Sequence, residues 1–245
     1  MRPLWVRWIA LVVFVAILGT VFVSMGRWQL NRLDQRQARN AAVLANEQQP
    51  VRPYEEVFTR PLGEADQWQR VSARGVFDAE HQYLLRYRNN GDAAGYEVVT
   101  PLRTATGTVL VDRGFVALPR GTRVPAAVPP PPAGEVTVVG HVRRDEQGRR
   151  AAVTPVDGQM RLINSAAIGA TLPYPVAHGY IGLLTVDPPQ PGGLTPVELP
   201  EISDGPHFWY AVQWFMFAAF AAAGIVIFIR DDLRTRRPSA ATAAA

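Results

Sequence analysis

The sequence predicts a membrane protein in which two transmembrane helices flank an all-β extracytoplasmic domain, an antiparallel barrel or sandwich. Three observations predict it. Residues Trp8–Gly26 carry no charge, Phe208–Ile229 carry none either, and between them the apolar pattern shifts from helical spacing to two-residue alternation. As helices the two runs measure about 29 and 33 Å, enough to cross a hydrocarbon core of about 30 Å. One helix satisfies all its own backbone polar groups, which lipid requires. About 180 residues remain between the runs, enough for a compact domain with its own core.

Charge supports this division. All 25 basic residues are arginine and the formal charge is +4. Arg2 and Arg7 precede the first span (net +2); Arg27, Arg32, Arg36 and Arg39 follow it with Asp34 (net +3); Arg230, Arg234, Arg236 and Arg237 follow the second with Asp231 and Asp232 (net +2). Residues 40–204 are therefore net acidic. The arginines are membrane flanks facing a lipid bilayer, and no basic groove for nucleic acid is implied. Cysteine is absent, which excludes disulfides, thiolate metal sites and cysteine nucleophiles.

In chain order, residues 1–7 form an arginine-bearing amino terminus. The first span, 8–26, exceeds a typical signal-peptide core and lacks a small-x-small cleavage site, so it reads as a signal-anchor. Residues 27–48 continue the helix until Gln48-Gln49-Pro50 stops it; Arg27 and Trp28 fit membrane anchoring. From 49 to 204 the chain is β-rich. Trp68–Phe77 alternates apolar and polar residues, His81–Arg88 follows a turn at Asp78, and Asn89-Asn90-Gly91-Asp92 is a hairpin turn. Further strands are expected at Tyr96–Leu102, Thr108–Val116, Glu135–Arg143 and Gly179–Val186, with a helical turn at Ile163–Ala170. Pro129–Pro132 is a stiff connector. The second span, 207–229, opens with Pro206 in its first turn, where no donor is lost; residues 230–245 form a basic tail. Two spans put both termini on one side. Long loops translocate largely regardless of charge, so both termini are placed in the cytoplasm and the β domain outside.

No Gly-x-Ser-x-Gly elbow, phosphate-cradling glycine loop or His-Glu-x-x-His pair occurs. The four histidines, His81, His141, His178 and His207, are isolated in sequence. His81 and His141, beside strands, read as surface residues, and Asp112-Arg113-Gly114 as a strand-end ion pair and turn. One feature survives. His207, Tyr210, Ala211 and Trp214 are spaced i, i+3, i+4, i+7 and share a helical face. Three readings stand side by side: an interfacial aromatic belt, a face packed on the first span near Trp28, or a shelf beside an imidazole that could ligate haem iron.

Several blocks match a known pattern. Gly26-Arg27-Trp28-Gln29-Leu30-Asn31-Arg32, Arg74-Gly75-Val76-Phe77, Gly95-Tyr96 through Leu102, Val109 through Val116, and His207-Phe208-Trp209-Tyr210-Ala211-Val212-Gln213-Trp214-Phe215 occur in the order and spacing of one family. The chain resembles the Surfeit locus protein family of cytochrome c oxidase assembly factors over nearly its whole length. The resemblance implies a non-enzymatic role in the bacterial cell membrane, assisting delivery of haem a to, or its insertion into, oxidase subunit I. Haem a is the implied cofactor, with His207 matching the proposed iron ligand and Tyr210 and Trp214 beside it. Oxidase subunits and haem a synthase are the implied partners. The chain departs from the family at Pro206-His207-Phe208, where many members have Asn-His-Leu. The alternative is a cofactor-free scaffold for a nascent oxidase subunit.

Overall fold

The computed structural model describes residues 4–91, 93–119, 128–197 and 202–235. Asp92 of the expected turn, Arg2, and the tail beyond Thr235 with Arg236 and Arg237 lie outside the described residues. The elements run α1 (Leu4–Glu47), β1 (Arg52–Pro53), α2 (Tyr54–Val57), a 3-10 turn (Glu64–Asp66), β2 (Arg70–Phe77), β3 (Tyr83–Asn90), β4 (Ala93–Thr104), β5 (Thr108–Ala117), β6 (Glu135–Arg143), α3 (Arg150–Val153), β7 (Gln159–Met160), α4 (Ser165–Gly169), β8 (Tyr180–Asp187) and α5 (His207–Thr235). They fall into two units, residues 1–40 with 202–245, and residues 41–201.

The 41–201 unit is a β-barrel. Its sheet order is β1-β2-β6-β8-β5-β4-β3-β7, and β2 also pairs with β4. β2 bonds β6 along Arg70–Val76, and its end, Gly75–Phe77, turns onto Leu102–Thr104. Five strands thus close on themselves and leave no free edge between them. Closure depends on Gly75: a β-carbon there would lie 2.2 Å from the Arg103 carbonyl oxygen.

The expected antiparallel arrangement is corrected at three pairings: the short β1 and β7 run parallel to β2 and β3, and one seam of the closed barrel is parallel as well. β8 runs antiparallel to β6 but parallel to β5, with Leu110–Asp112 opposite Tyr180–Gly182. The chain joining β5 to β8 runs through β6 and the excursion of α3, β7 and α4. Such a crossover is what a parallel pairing needs and a tight hairpin cannot supply.

Strand alternation divides the core. Val109 and Val111 point into the barrel with Val71, Phe77, Leu102, Val136, Val138 and Ile181. Leu110 points outward and is covered, with Leu85, Val99 and Tyr180, by Met160, Ile163 and Ile168 from the excursion. β5 is therefore buried on both faces, which accounts for its nearly continuous apolar run. The final turns of α1 join this unit: Val43 is buried, and Asn46 Nδ2 donates to the carbonyls of Ala65 and Gln67.

The other unit is the antiparallel pair of α1 and α5. Both helices are long and apolar enough to cross a membrane, with 18-residue stretches of mean hydropathy 2.6 and 2.2. Their outward side chains, among them Phe14, Ile17, Phe220 and Ile227, are exposed. An apolar surface of that extent is suited to lipid rather than water.

Candidate functional site

Among the half-buried positions of α1 are Trp8, Leu11, Val15, Leu18, Phe22, Gln29 and Leu33, with Gly26 buried; among those of α5 are His207, Trp214, Ala218, Ala221, Ile225, Ile229 and Asp232, with Ala211 buried. Steps of three and four residues put each set on one face, as in a two-helix seam. Phe22 packs against Trp214 and Phe217 at ring-centroid distances of 5.8 and 5.7 Å. Gly26 lies under the ring of Phe215; a β-carbon there would come within 2.7 Å of it. Each end of this apolar seam carries a polar couple. Trp8 Nε1 donates to Asp232 Oδ2 at 3.0 Å, and His207 Nδ1 meets Gln29 Oε1 at 2.9 Å. Beyond the second couple, Gln37 Nε2 donates to Asp204 Oδ2 (2.9 Å) and Asn40 Nδ2 to the Ser203 carbonyl (3.1 Å), tying the chain just before α5 to α1.

The couple at His207 has a chemical consequence. An amide oxygen only accepts, so Nδ1 carries the proton, and in the neutral ring this leaves the lone pair on Nε2. Ligating histidines are held in this way, with one ring nitrogen donating to a fixed acceptor and the other free to bind metal. The residues present therefore fit a single axial haem ligand. Tyr210 is exposed at 47%, on the rim of the helix pair. Trp214 is inserted in the seam against Phe22. Ala211 is buried between His207 and Trp214, so the face shared by these residues is the packing face against α1. The exposed rim at this end carries Trp28, Phe208 and Trp209. The sequence does not single out Gln29 as a partner of His207; its place three residues from Gly26, on the same face of α1, is the signal that points to it.

A second polar assembly sits on the barrel. Asp112 and Arg113 do not form the expected ion pair, because alternation sends adjacent strand residues to opposite faces. Arg113 turns inward and is wholly buried, its guanidinium carbon 5.8 Å from the Phe77 ring centre. Its Nη1 donates to Gln82 Oε1 (2.8 Å) and the Pro129 carbonyl (2.9 Å), its Nη2 to the Pro130 carbonyl (2.8 Å). Burial pulls this guanidinium down to about 10, which leaves it charged at neutral pH. The proline connector is thus clamped by a cation. Asp112 turns outward, accepting from the Gly114 amide at 3.2 Å. It lines a cavity of about 220 Å³ with Trp68, Arg88, Glu97, Arg143, Glu146 and Tyr180. Burial, with the nearby Glu97 charge, holds the Asp112 carboxyl well above the usual range, and burial also raises Glu97. Arg88 bridges Glu97 (2.9 Å) and Glu146 (2.7 Å), and Arg143 lies 4.1 Å over the Trp68 ring.

His141 is not a surface residue. It is 3% exposed, bonded through Nε2 to Glu47 and packed edge-on against Trp68. Its strand position faces out of the barrel, opposite to Val136 and Val138, and it is covered there by Trp68 and by Glu47, which arrives from α1, 94 residues earlier. His81, 34% exposed, donates from Nδ1 to Asp78 Oδ2 (2.9 Å), which also accepts from the Tyr174 hydroxyl. Among the described residues, no three histidine, aspartate or glutamate side chains are grouped to hold a metal ion.

The sequence model of the SURF1 family matches residues 16–219. Similar proteins include an uncharacterized SURF1-like protein of Mycobacterium bovis and those of two Mycobacterium tuberculosis strains. Each is 32% identical over 244 residues, covering 97% of this chain and 88% of the relative.

Proposed function

The chain belongs to the SURF1 family, which is generally linked to cytochrome oxidase assembly, and from that premise we propose that it assists haem a delivery to subunit I of a haem–copper oxidase. It acts as an assembly factor and turns over no substrate. The observation that carries the cofactor part is the hydrogen bond from His207 Nδ1 to Gln29 Oε1, which presents a free imidazole nitrogen at one end of an apolar helix pair. Haem a is cargo in this reading. His207 offers a neutral nitrogen to the iron, Gln29 holds the ring's tautomer and direction, and the exposed aromatic rim of Trp28, Phe208 and Trp209 suits the macrocycle. Both termini lie in the cytoplasm, and the barrel lies on the outer side of the bacterial cell membrane, where oxidase subunits and haem a synthase are its partners.

The same hydrogen bond also suits a cofactor-free scaffold, because it locks the two helices in register. The two readings separate on one experiment. The full chain, purified after co-expression with haem a synthesis, should show a haem a absorption spectrum that His207→Ala abolishes while membrane insertion persists. Equal haem occupancy in the variant leaves the scaffold.

A further inference from the structure

We infer that Arg36 forms the anionic half of the His207 site, binding a carboxylate of the ligand whose metal His207 holds. This inference rests on the cofactor reading proposed above. Its observations are separate. Gly205, with φ +66°, sits at the foot of α5, and a β-carbon on it would lie 2.4 Å from Arg36 Nη1 and 3.6 Å from His207 Cδ2. The guanidinium and the Cδ2 edge of the imidazole, which adjoins Nε2, therefore converge on the same point. The glycine is what admits them: a side chain would fill the space Arg36 takes, and the left-handed conformation is one that L side chains rarely adopt.

Arg36 is also uncommitted. The neighbouring acid, Asp204, is taken by Gln37, and Arg32 is spent on Gln35 and the Trp28 ring. Among the described residues Arg36 has no hydrogen-bond or ion-pair partner. It lies seven residues beyond Gln29 on α1, two turns along the same side, or about 10 Å on the helix axis. The Gly205 distances nevertheless bring Nη1 within about 6 Å of His207 Cδ2, so a ligand with its metal beyond Nε2 and carboxylates at its edge, such as a metalloporphyrin with propionate arms, can reach both groups. Guanidinium–carboxylate pairing is planar and bidentate, and it supplies an orientation that a single axial bond lacks. The propionate edge then points away from the hydrocarbon and the apolar edge toward it.

The test is a pair of absorption titrations on the full chain in phosphatidylcholine nanodiscs. One uses iron protoporphyrin IX and the other its dimethyl ester, whose arms carry no charge. Arg36→Gln should weaken the free acid by about tenfold or more, the size of a lost charge-assisted bond, and leave the ester unchanged. Gly205→Ala, which keeps the arginine but fills its seat, should act in the same direction. Arg32→Gln, which removes an equal charge one turn away, should leave the acid-to-ester ratio unaltered. Equal losses for acid and ester in Arg36→Gln, or equal effects of Arg32→Gln and Arg36→Gln, overturn the inference while leaving the His207 ligand intact. Failure of His207→Ala to alter either spectrum would instead sink the ligand reading itself. A loss in Arg36→Gln that appears only with anionic lipid added would assign the guanidinium to a headgroup phosphate and also overturn it.

Discussion

His207 Nδ1 lies 2.9 Å from Gln29 Oε1, joining α5 to α1 across 178 residues of sequence. The bond sets the imidazole tautomer and closes one end of the helix seam. A residue with both duties can be separated from its ring partner by mutation. Gln29→Leu keeps bulk and removes only the acceptor. Haem affinity should fall by about 10- to 100-fold, the usual effect of losing the group that orients a metal-ligating histidine. Retention of full affinity in a Soret titration would mean that the bond serves packing alone.

Gly26 governs how closely the helices approach. Gly26→Leu would drive its side chain into the ring of Phe215, already 2.7 Å from where a β-carbon would be. Overpacking of this kind costs about 1–3 kcal/mol. Cysteines placed at Phe22 and Trp214 should cross-link readily in the parent and poorly in the Gly26→Leu background. Equal cross-linking would show that the seam can absorb the volume.

The barrel's proline connector depends on Arg113. Arg113→Met preserves much of the buried stem but leaves the Pro129 and Pro130 carbonyls without their donor, a loss of about 3 kcal/mol or more. Thermal unfolding followed by tryptophan fluorescence should show a barrel transition lowered by several degrees. An unchanged transition would indicate that water replaces the guanidinium.

Asp112 provides a pH signature. Its folded pKa is raised, first by burial and then by Glu97. A raised carboxyl contributes stability that is fully present below the unfolded value, about 3.9, and is lost as pH rises through the folded value. The parent should therefore lose thermal stability with increasing pH above that window, and Asp112→Asn, an uncharged isostere, should flatten the curve. Parallel curves for the two proteins would refute the protonated assignment.

Topology is open to a direct test. Reporter fusions at Ala133 and after the carboxyl terminus should report opposite sides of the membrane. The same side at both positions would contradict two complete spans.

The strands were legible because most bury one face and alternate. The ranges expected for Thr108–Val116 and Glu135–Arg143 meet β5 and β6 within a residue. Strand order was not legible. Nothing local in Tyr180–Asp187 announces that it will insert beside β5 in parallel, since that depends on how the preceding excursion packs over Leu85 and Leu110. The polar residues were hidden for a related reason. His141 looks like any strand histidine until Glu47 arrives from α1, and Arg113 looks paired with Asp112 until alternation sends the two apart. On α5, the common face of His207, Ala211 and Trp214 could be read from spacing, whereas its partner Gln29 needed the tertiary fold.

The two polar couples that bracket the helix seam also act as stops. Trp8 and Gln29 are 21 residues apart on α1, about 32 Å along the axis, close to the thickness of a hydrocarbon core. With Asp232 and His207 fastened at either end, α5 cannot slide along α1 without breaking a half-buried hydrogen bond. A thinner or thicker bilayer must then be met by tilting both helices together, or by deforming the lipid around them. The depth of the imidazole is accordingly coupled to membrane thickness, so lipid composition becomes a control on how far that nitrogen stands from the water.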